Sequence, residues 1–201
     1  NSRSFCEDKA LVGRLCVAYM HGLQRNGVLA CAKHFPGHGN TIVDSHFDLP
    51  IVNRTLEELD TFEFYPFRRM IASGVSSIMI AHLDVPALDT GAHVPSTLSK
   101  NIVTGVLRQK LGCKGLIITD ALNMKGVTKY FPSGEAELRA FEAGNDILLF
   151  SQDVPMALAK IKNAIDSGVI PMTQLEYSVK RLLATKYNDG RSVSEDTDTT
   201  H

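Results

Sequence analysis

The chain has 201 residues, which is enough for one domain with a sizeable hydrophobic core. Its 21 basic and 22 acidic residues give a formal net charge of −1, so no charge excess points to nucleic acid or to an anionic membrane surface. No apolar run approaches the roughly 18 residues of a membrane-spanning helix. The four cysteines form no CxxC pair, so we expect reduced, partly buried thiols rather than a disulfide framework.

Apolar periodicity predicts one helix followed by four strand–loop–helix units. The predicted strands are continuous apolar runs at 28–32, 76–81, 115–119 and 146–150. The predicted helices cover about 8–25, 55–72, 99–111, 133–143, 153–166 and 173–186. The expected helix starts carry residues typical of N-caps, namely Thr55 with Glu58, Ser99, Ser133, and Thr173 with Glu176.

The predicted strands indicate a parallel sheet, because continuous apolar runs are typical of strands that are covered on both faces. Each strand runs into a polar loop at its carboxyl end, where α/β proteins keep their chemistry. Four strands suit an open sheet, whereas a closed (β/α) barrel has eight and typically about 250 residues.

The densest cluster of reactive side chains follows the first predicted strand. It consists of KHFPGHG at residues 33–39, followed by Asp44-Ser45-His46. Lys33 and His34 are able to donate hydrogen bonds to sugar hydroxyls or to an anion. Asp44 and His46 are two residues apart, so the carboxylate is able to orient the imidazole as an acid/base group near neutral pH.

Two other interpretations of this cluster remain open. Three histidines and one aspartate within 13 residues are able to bind a divalent metal, although no rigid helical histidine pair is present. One or two of the histidines, His38 above all, are also candidates for a structural role.

Asp120 follows the third predicted strand, so its carboxylate is expected at the same edge of the sheet. A carboxylate there, with an acid/base group on a facing loop, suits a retaining glycosidase. The alternative is an ordinary N-cap or turn aspartate. Arg3 is a candidate clamp for a carboxylate or hydroxyl, or else a surface arginine. His82, at the end of the second predicted strand, is a candidate cleft residue or a structural histidine.

Several stretches together resemble the family 3 β-N-acetylglucosaminidases among the glycoside hydrolases. KHFPGHG with Asp44-Ser45-His46 resembles the signature of these enzymes, and ITDALNM at residues 118–124 resembles their nucleophile segment. Ala81-His82 and Ala143-Gly144-Asn145-Asp146 resemble later strand ends. The resemblance extends from about Asn1 to Tyr187.

This resemblance implies a (β/α)8 barrel of the TIM type and a reaction that retains anomeric configuration. Asp120 would be the nucleophile and His46 the acid/base, oriented by Asp44. The residues implied in sugar binding are Arg3, Lys33, His34, His82 and Met124. The substrate implied is terminal β-1,4-linked N-acetylglucosamine of a muropeptide or chitooligosaccharide, with no metal or organic cofactor.

Two departures from the family pattern qualify these expectations. Cys6 stands where the family usually has glycine after Arg3-Ser4-Phe5. The family's first strands, with a sugar-binding aspartate, have no counterpart before this segment. We therefore expect residues 1–187 to form the second half of a barrel with about four strand–helix units, and residues 188–201 to form a disordered polar tail.

Three further expectations follow. A phosphorylase is the enzymatic alternative, since a neutral histidine base repels an anionic acceptor such as phosphate less than a carboxylate does. A catalytically silent half-barrel, awaiting an N-terminal half or associating with itself through its open edges, is the alternative from another class. A bacterial source is expected, in the cytoplasm or exported.

Overall fold

The computed structural model describes residues 5–38, 41, 49–91 and 93–188. The strands are β1 (Cys31–Phe35), β2 (Ser77–Ile80) and β3 (Leu116–Thr119). The α-helices are α1 (Lys9–Gln24), α2 (Leu56–Glu58), α3 (Phe64–Ala72), α4 (Lys125–Thr128), α5 (Glu135–Ala143), α6 (Val154–Asp166) and α7 (Met172–Asn188). Two π-helical segments, π1 (Leu59–Glu63) and π2 (Asn101–Lys110), and a 3₁₀ turn (Ser96–Leu98) complete the described elements.

The strands form a parallel sheet, as predicted, and their order in it is β1-β2-β3. Parallel pairing brings their carboxyl ends to one edge of the sheet. The packing of helices around this sheet confirms the α/β fold class. None of the described helices has both the length and the apolar character that a membrane span requires.

The prediction of a fourth regular strand is wrong for the described residues. Residues 146–150 run beside β3 with a single parallel bridge between Ile118 and Ile147. The ladder stops there because the Leu149 N–H donates to the Thr119 hydroxyl at 2.9 Å and not to a backbone carbonyl. Phe150 then takes a left-handed φ of 50°, which ends the extended conformation.

The start of β1 also differs from its prediction. Val28 and Leu29 are 48% and 45% exposed, and the strand begins only at Cys31. Pairing with β2 starts where the Ser77 N–H donates to the Ala30 carbonyl at 3.1 Å. Gly27, at φ 72°, turns the chain out of α1 and delays this contact.

The predicted helix caps have mixed outcomes. The capping box of Thr55 and Glu58 is confirmed, and the Ile102 N–H donates to the Ser99 hydroxyl as expected. Ser133 is not the cap of α5, because left-handed Gly134 follows it and donates its N–H to the Glu137 carboxylate at 2.7 Å. The prediction for Thr173 is also wrong, since α7 already begins at Met172.

The main core lies between the sheet and helices α1, α3 and π2. Its fully buried members include Phe35, Phe64, Ile78, Ile80, Ile102, Leu107 and Ile117. The Phe35 ring contacts Phe64 and Phe67 at centroid distances of 5.4 and 5.2 Å. Burial of each such side chain contributes about 1.5–3 kcal/mol, so the last residue of β1 is firmly anchored.

Candidate active site

The carboxyl end of the sheet brings together residues that are far apart in the sequence. His34 lies in β1 and Asp120 immediately follows β3. The His34 Nε2 atom lies 3.8 Å from Asp120 Oδ2, and their side chains are 27% and 21% exposed. Both groups are therefore partly shielded from water but still accessible.

Backbone groups hold Asp120 in place. Its own N–H donates to the Ile80 carbonyl of β2 at 2.8 Å. The Ala121 N–H donates to Asp120 Oδ1, also at 2.8 Å. This leaves Oδ2 as the oxygen that faces His34, and a carboxylate oxygen in that position is able to act as a nucleophile.

The loop after β1 begins in a constrained conformation. The Gly37 N–H donates to the His34 carbonyl at 2.9 Å, and Gly37 has a φ of 111°. A Cβ atom at Gly37 would overlap the Glu63 carboxylate, so both the backbone and the space require glycine. The His34 and His38 rings meet edge to face at 5.3 Å.

Lys33 and Met124 flank this region. Lys33 precedes His34 in β1 and is exposed. Met124 is half-buried before α4, and its N–H donates to the Ala121 carbonyl at 3.1 Å. Met124 thus belongs to the same turn as Asp120.

Arg3, Asp44 and His46 lie outside the described residues. The residues on either side of Asp44 and His46 are described. His38 lies three residues beyond the end of β1, and Ile51 forms a parallel bridge with Asp84 beyond β2. The association of the Asp44–His46 pair with Asp120 therefore stays a prediction.

His82 differs from its expected place in the cleft. Its ring is 0% exposed, with Nδ1 2.7 Å from the Thr97 hydroxyl and Nε2 2.9 Å from the Ala121 carbonyl. Burial lowers the pKa of His82, while the Ala121 carbonyl and the Asp120 carboxylate act in the opposite direction. This geometry favours the structural alternative for His82 over direct contact with a sugar.

Sequence reasoning missed two members of this network. Thr97 lies 15 residues beyond its partner and carries no local signal. Asn145 belongs to a stretch noted only as a resemblance, yet its Nδ2 donates to the Thr97 carbonyl at 2.9 Å. Such contacts depend on long-range packing, which a single sequence does not reveal.

The metal-binding alternative for the histidine cluster involves Asp44 and His46, which lie outside the described residues. The described residues contain no group of three or more histidine, cysteine, aspartate or glutamate side chains arranged for a metal. A cavity of about 710 Å³ opens at the amino ends of the strands, lined by Gln24, Ser76, Cys113 and Gly115 among others. Asp120 lies at the opposite ends of the strands, so this cavity is separate from it.

The chain is an α/β protein whose parallel sheet places a partly exposed carboxylate and a histidine together at its carboxyl end. The family model described as the glycosyl hydrolase family 3 N-terminal domain matches residues 1–185. The chain belongs to glycosyl hydrolase family 3.

Relatives within the family agree with this assignment. A β-hexosaminidase A from Pseudoalteromonas piscicida is 35% identical, over 92% of this chain and 34% of the relative. The structure of a family 3 β-N-acetylglucosaminidase from Paenibacillus sp. is 40% identical, with a TM-score of 0.86 over 95% of this chain and 38% of that one. A β-glucoside phosphorylase structure is 28% identical, with a TM-score of 0.88 over 94% and 36% of the two chains.

The chain spans about a third of the length of these relatives. With the three-stranded parallel sheet, this match confirms a partial barrel. The predicted family is confirmed as well.

Proposed function

We propose that this chain provides the nucleophile and the acid/base dyad of a retaining β-N-acetylglucosaminidase. The substrate class is terminal β-1,4-linked N-acetylglucosamine on muropeptides or chitooligosaccharides, in a bacterial cell-wall recycling or degrading role. The observation that carries the proposal is the Asp120 carboxylate, which is held by backbone hydrogen bonds at the carboxyl end of the sheet, 3.8 Å from His34.

In the proposed reaction, Asp120 Oδ2 attacks the anomeric carbon as the glycosidic bond breaks. His46 gives its proton to the leaving oxygen, and a covalent glycosyl-enzyme forms. His46 then takes a proton from water, which attacks the same carbon and releases Asp120. Asp44 orients the His46 ring, while Arg3, Lys33, His34 and Met124 are proposed to bind the sugar.

The test uses protein containing residues 1–201 with 4-nitrophenyl N-acetyl-β-glucosaminide. We expect release of 4-nitrophenol, and proton NMR should show the β-anomer of N-acetylglucosamine as the first product. Asp120→Asn and His46→Ala should each abolish most of the turnover. Turnover that survives both substitutions, or a first product with the α configuration, would contradict the mechanism.

A second candidate activity is phosphorolysis, which the likeness to a β-glucoside phosphorylase favours. A histidine base is neutral before it takes its proton, so it repels phosphate less than a carboxylate base does. Phosphate-dependent formation of a sugar phosphate would establish phosphorolysis. A rate that is independent of phosphate, with free sugar as the product, would establish hydrolysis.

A third candidate is a silent unit that acts only with a complementary first half of the barrel. Two observations favour it: the chain spans 34% of a curated relative, and α1 exposes a stripe formed by Leu11, Leu15 and Tyr19. The test compares residues 1–201 alone with the same chain mixed with a relative's first barrel half. Turnover only in the mixture would establish the silent unit, and equal turnover in both would contradict it.

A further inference from the structure

We propose that His82 is a positioning residue that holds the Asp120 turn in its reactive geometry through the Ala121 carbonyl. This inference rests on the proposed function of Asp120. It assigns His82 a role beneath the site, without contact to the sugar.

The hydrogen bonds define the protonation state of His82. A backbone carbonyl is only an acceptor, so the contact from Nε2 to the Ala121 carbonyl at 2.9 Å requires the proton on Nε2. In the neutral ring Nδ1 is then an acceptor, and the Thr97 hydroxyl must donate to it at 2.7 Å. Burial, which lowers the pKa of His82, keeps the ring neutral near pH 7.

Thr97 is itself held in place by a hydrogen bond to its backbone. Its carbonyl accepts a hydrogen bond from Asn145 Nδ2 at 2.9 Å, and the same amide donates to the Ala140 carbonyl at 2.6 Å. Thr97, Asn145 and His82 are all 0% exposed, so water does not replace these contacts easily. These buried hydrogen bonds therefore hold the His82 ring in a fixed position.

Ala121 connects the His82 ring to the Asp120 carboxylate through hydrogen bonds. Its carbonyl accepts from both His82 Nε2 and the Met124 N–H, and its own N–H donates to Asp120 Oδ1. Loss of the His82 donor would free the Ala121–Leu122 peptide group, and a shift of the Ala121 backbone would displace the N–H that donates to Asp120 Oδ1. Small displacements of a reacting group, of the order of 1 Å, cost about 100-fold in rate.

Two substitutions separate positioning from simple packing. Glutamine places its amide nitrogen near the position of Nε2, whereas asparagine is too short and mimics Nδ1. We expect His82→Asn to lower kcat by about 30- to 100-fold with KM changed less than about threefold. His82→Gln should retain kcat within about fivefold of the parent protein.

Ser96→Ala is the matched control, because the Ser96 hydroxyl is also buried and bonds the Ala81 carbonyl and the Leu83 N–H. This variant should leave kcat within about threefold of the parent protein. Equal loss in both His82 variants, a comparable loss in Ser96→Ala, or an unchanged kcat in His82→Asn would overturn the inference. A rise in KM at constant kcat would do so too, and would indicate direct sugar contact.

A measurement without turnover separates this inference from the proposed function. The Ala121 amide signal in ¹⁵N NMR reports on the hydrogen bond that this N–H donates to Asp120 Oδ1. His82→Asn should shift that signal, while Ser96→Ala should leave it unchanged. If the parent protein shows no turnover, this result still decides the positioning role, and an unshifted signal in His82→Asn would overturn it.

Discussion

Asp120 immediately follows β3 and Asp146 begins the segment that runs beside β3, yet their surroundings differ completely. The Asp146 side chain is 0% exposed and accepts hydrogen bonds on both oxygens. Its donors are Arg181 at 2.6 and 2.9 Å, Ser178 at 2.9 Å, Arg108 at 2.8 Å and the Ile117 N–H at 2.9 Å. Asp120 is 21% exposed and has Oδ2 facing His34.

The difference separates an anchoring carboxylate from a reactive one. Asp146 ties α7 and π2 to β3, and its oxygens are fully engaged by two arginines, a hydroxyl and a backbone N–H. Asp120 is fixed through the backbone and Oδ1, which leaves an oxygen available for chemistry. Substitutions should therefore affect mainly stability at one aspartate and mainly activity at the other.

The largest expected effect is on activity, in Asp120→Asn. Loss of the nucleophile should lower kcat by about 10⁴-fold or more, while the free energy of unfolding changes by less than about 1 kcal/mol. Steady-state kinetics and urea unfolding of the same preparation test both halves of this statement. A large loss of stability would show that Asp120 is an anchor like Asp146.

The next effect is on stability, in Asp146→Asn. This change leaves Arg108 and Arg181 without their buried anion, so the free energy of unfolding should fall by about 3–5 kcal/mol. Asp60 is a matched control, because it also pairs with two cations, Arg68 and Lys110, but is 36% exposed. Asp60→Asn should cost less than about 1 kcal/mol, and equal costs would contradict the contrast.

A smaller loss of stability is expected for a substitution at Gly37, in the loop that follows β1 at the carboxyl end of the sheet. Gly37→Ala forces a side chain into φ 111° against the Glu63 carboxylate, at a cost of about 3 kcal/mol. Gly27→Ala, at φ 72° with no atom nearby, should cost about 1–2 kcal/mol. Chemical denaturation should rank the two variants in this order, and the reverse order would show that the Glu63 contact is unimportant.

The smallest expected effect is a pH dependence of stability. Burial lowers the pKa of His82 below its ordinary value of about 6.5, so the unfolded chain binds this proton more readily. The free energy of unfolding therefore keeps its full value above pH 6.5 and falls as the pH drops below 6.5. Between pH 6.5 and 5.5 the free energy of unfolding should fall more in the parent protein than in His82→Gln, and parallel curves would contradict this.

Local signals in the sequence predicted part of this molecule well. The capping box at Thr55 and the apolar runs of β2 and β3 depend on neighbouring residues, so they were visible directly. The placement of Asp120 followed from the end of β3. Residues 146–150 do not form a regular strand because of a contact with Thr119, and His82 is buried against Thr97. Both partners are distant in sequence, so these features were not predictable.

The most direct test of the central claim is to trap the covalent intermediate. Protein containing residues 1–201 would be incubated with a 5-fluoro-N-acetylglucosaminyl fluoride, digested and mapped by mass spectrometry. We predict that a single sugar is attached to the Asp120 carboxylate, and that Asp120→Asn abolishes the label while Asp146→Asn does not. Attachment at another residue, or turnover of the substrate without any label on Asp120, would contradict the account.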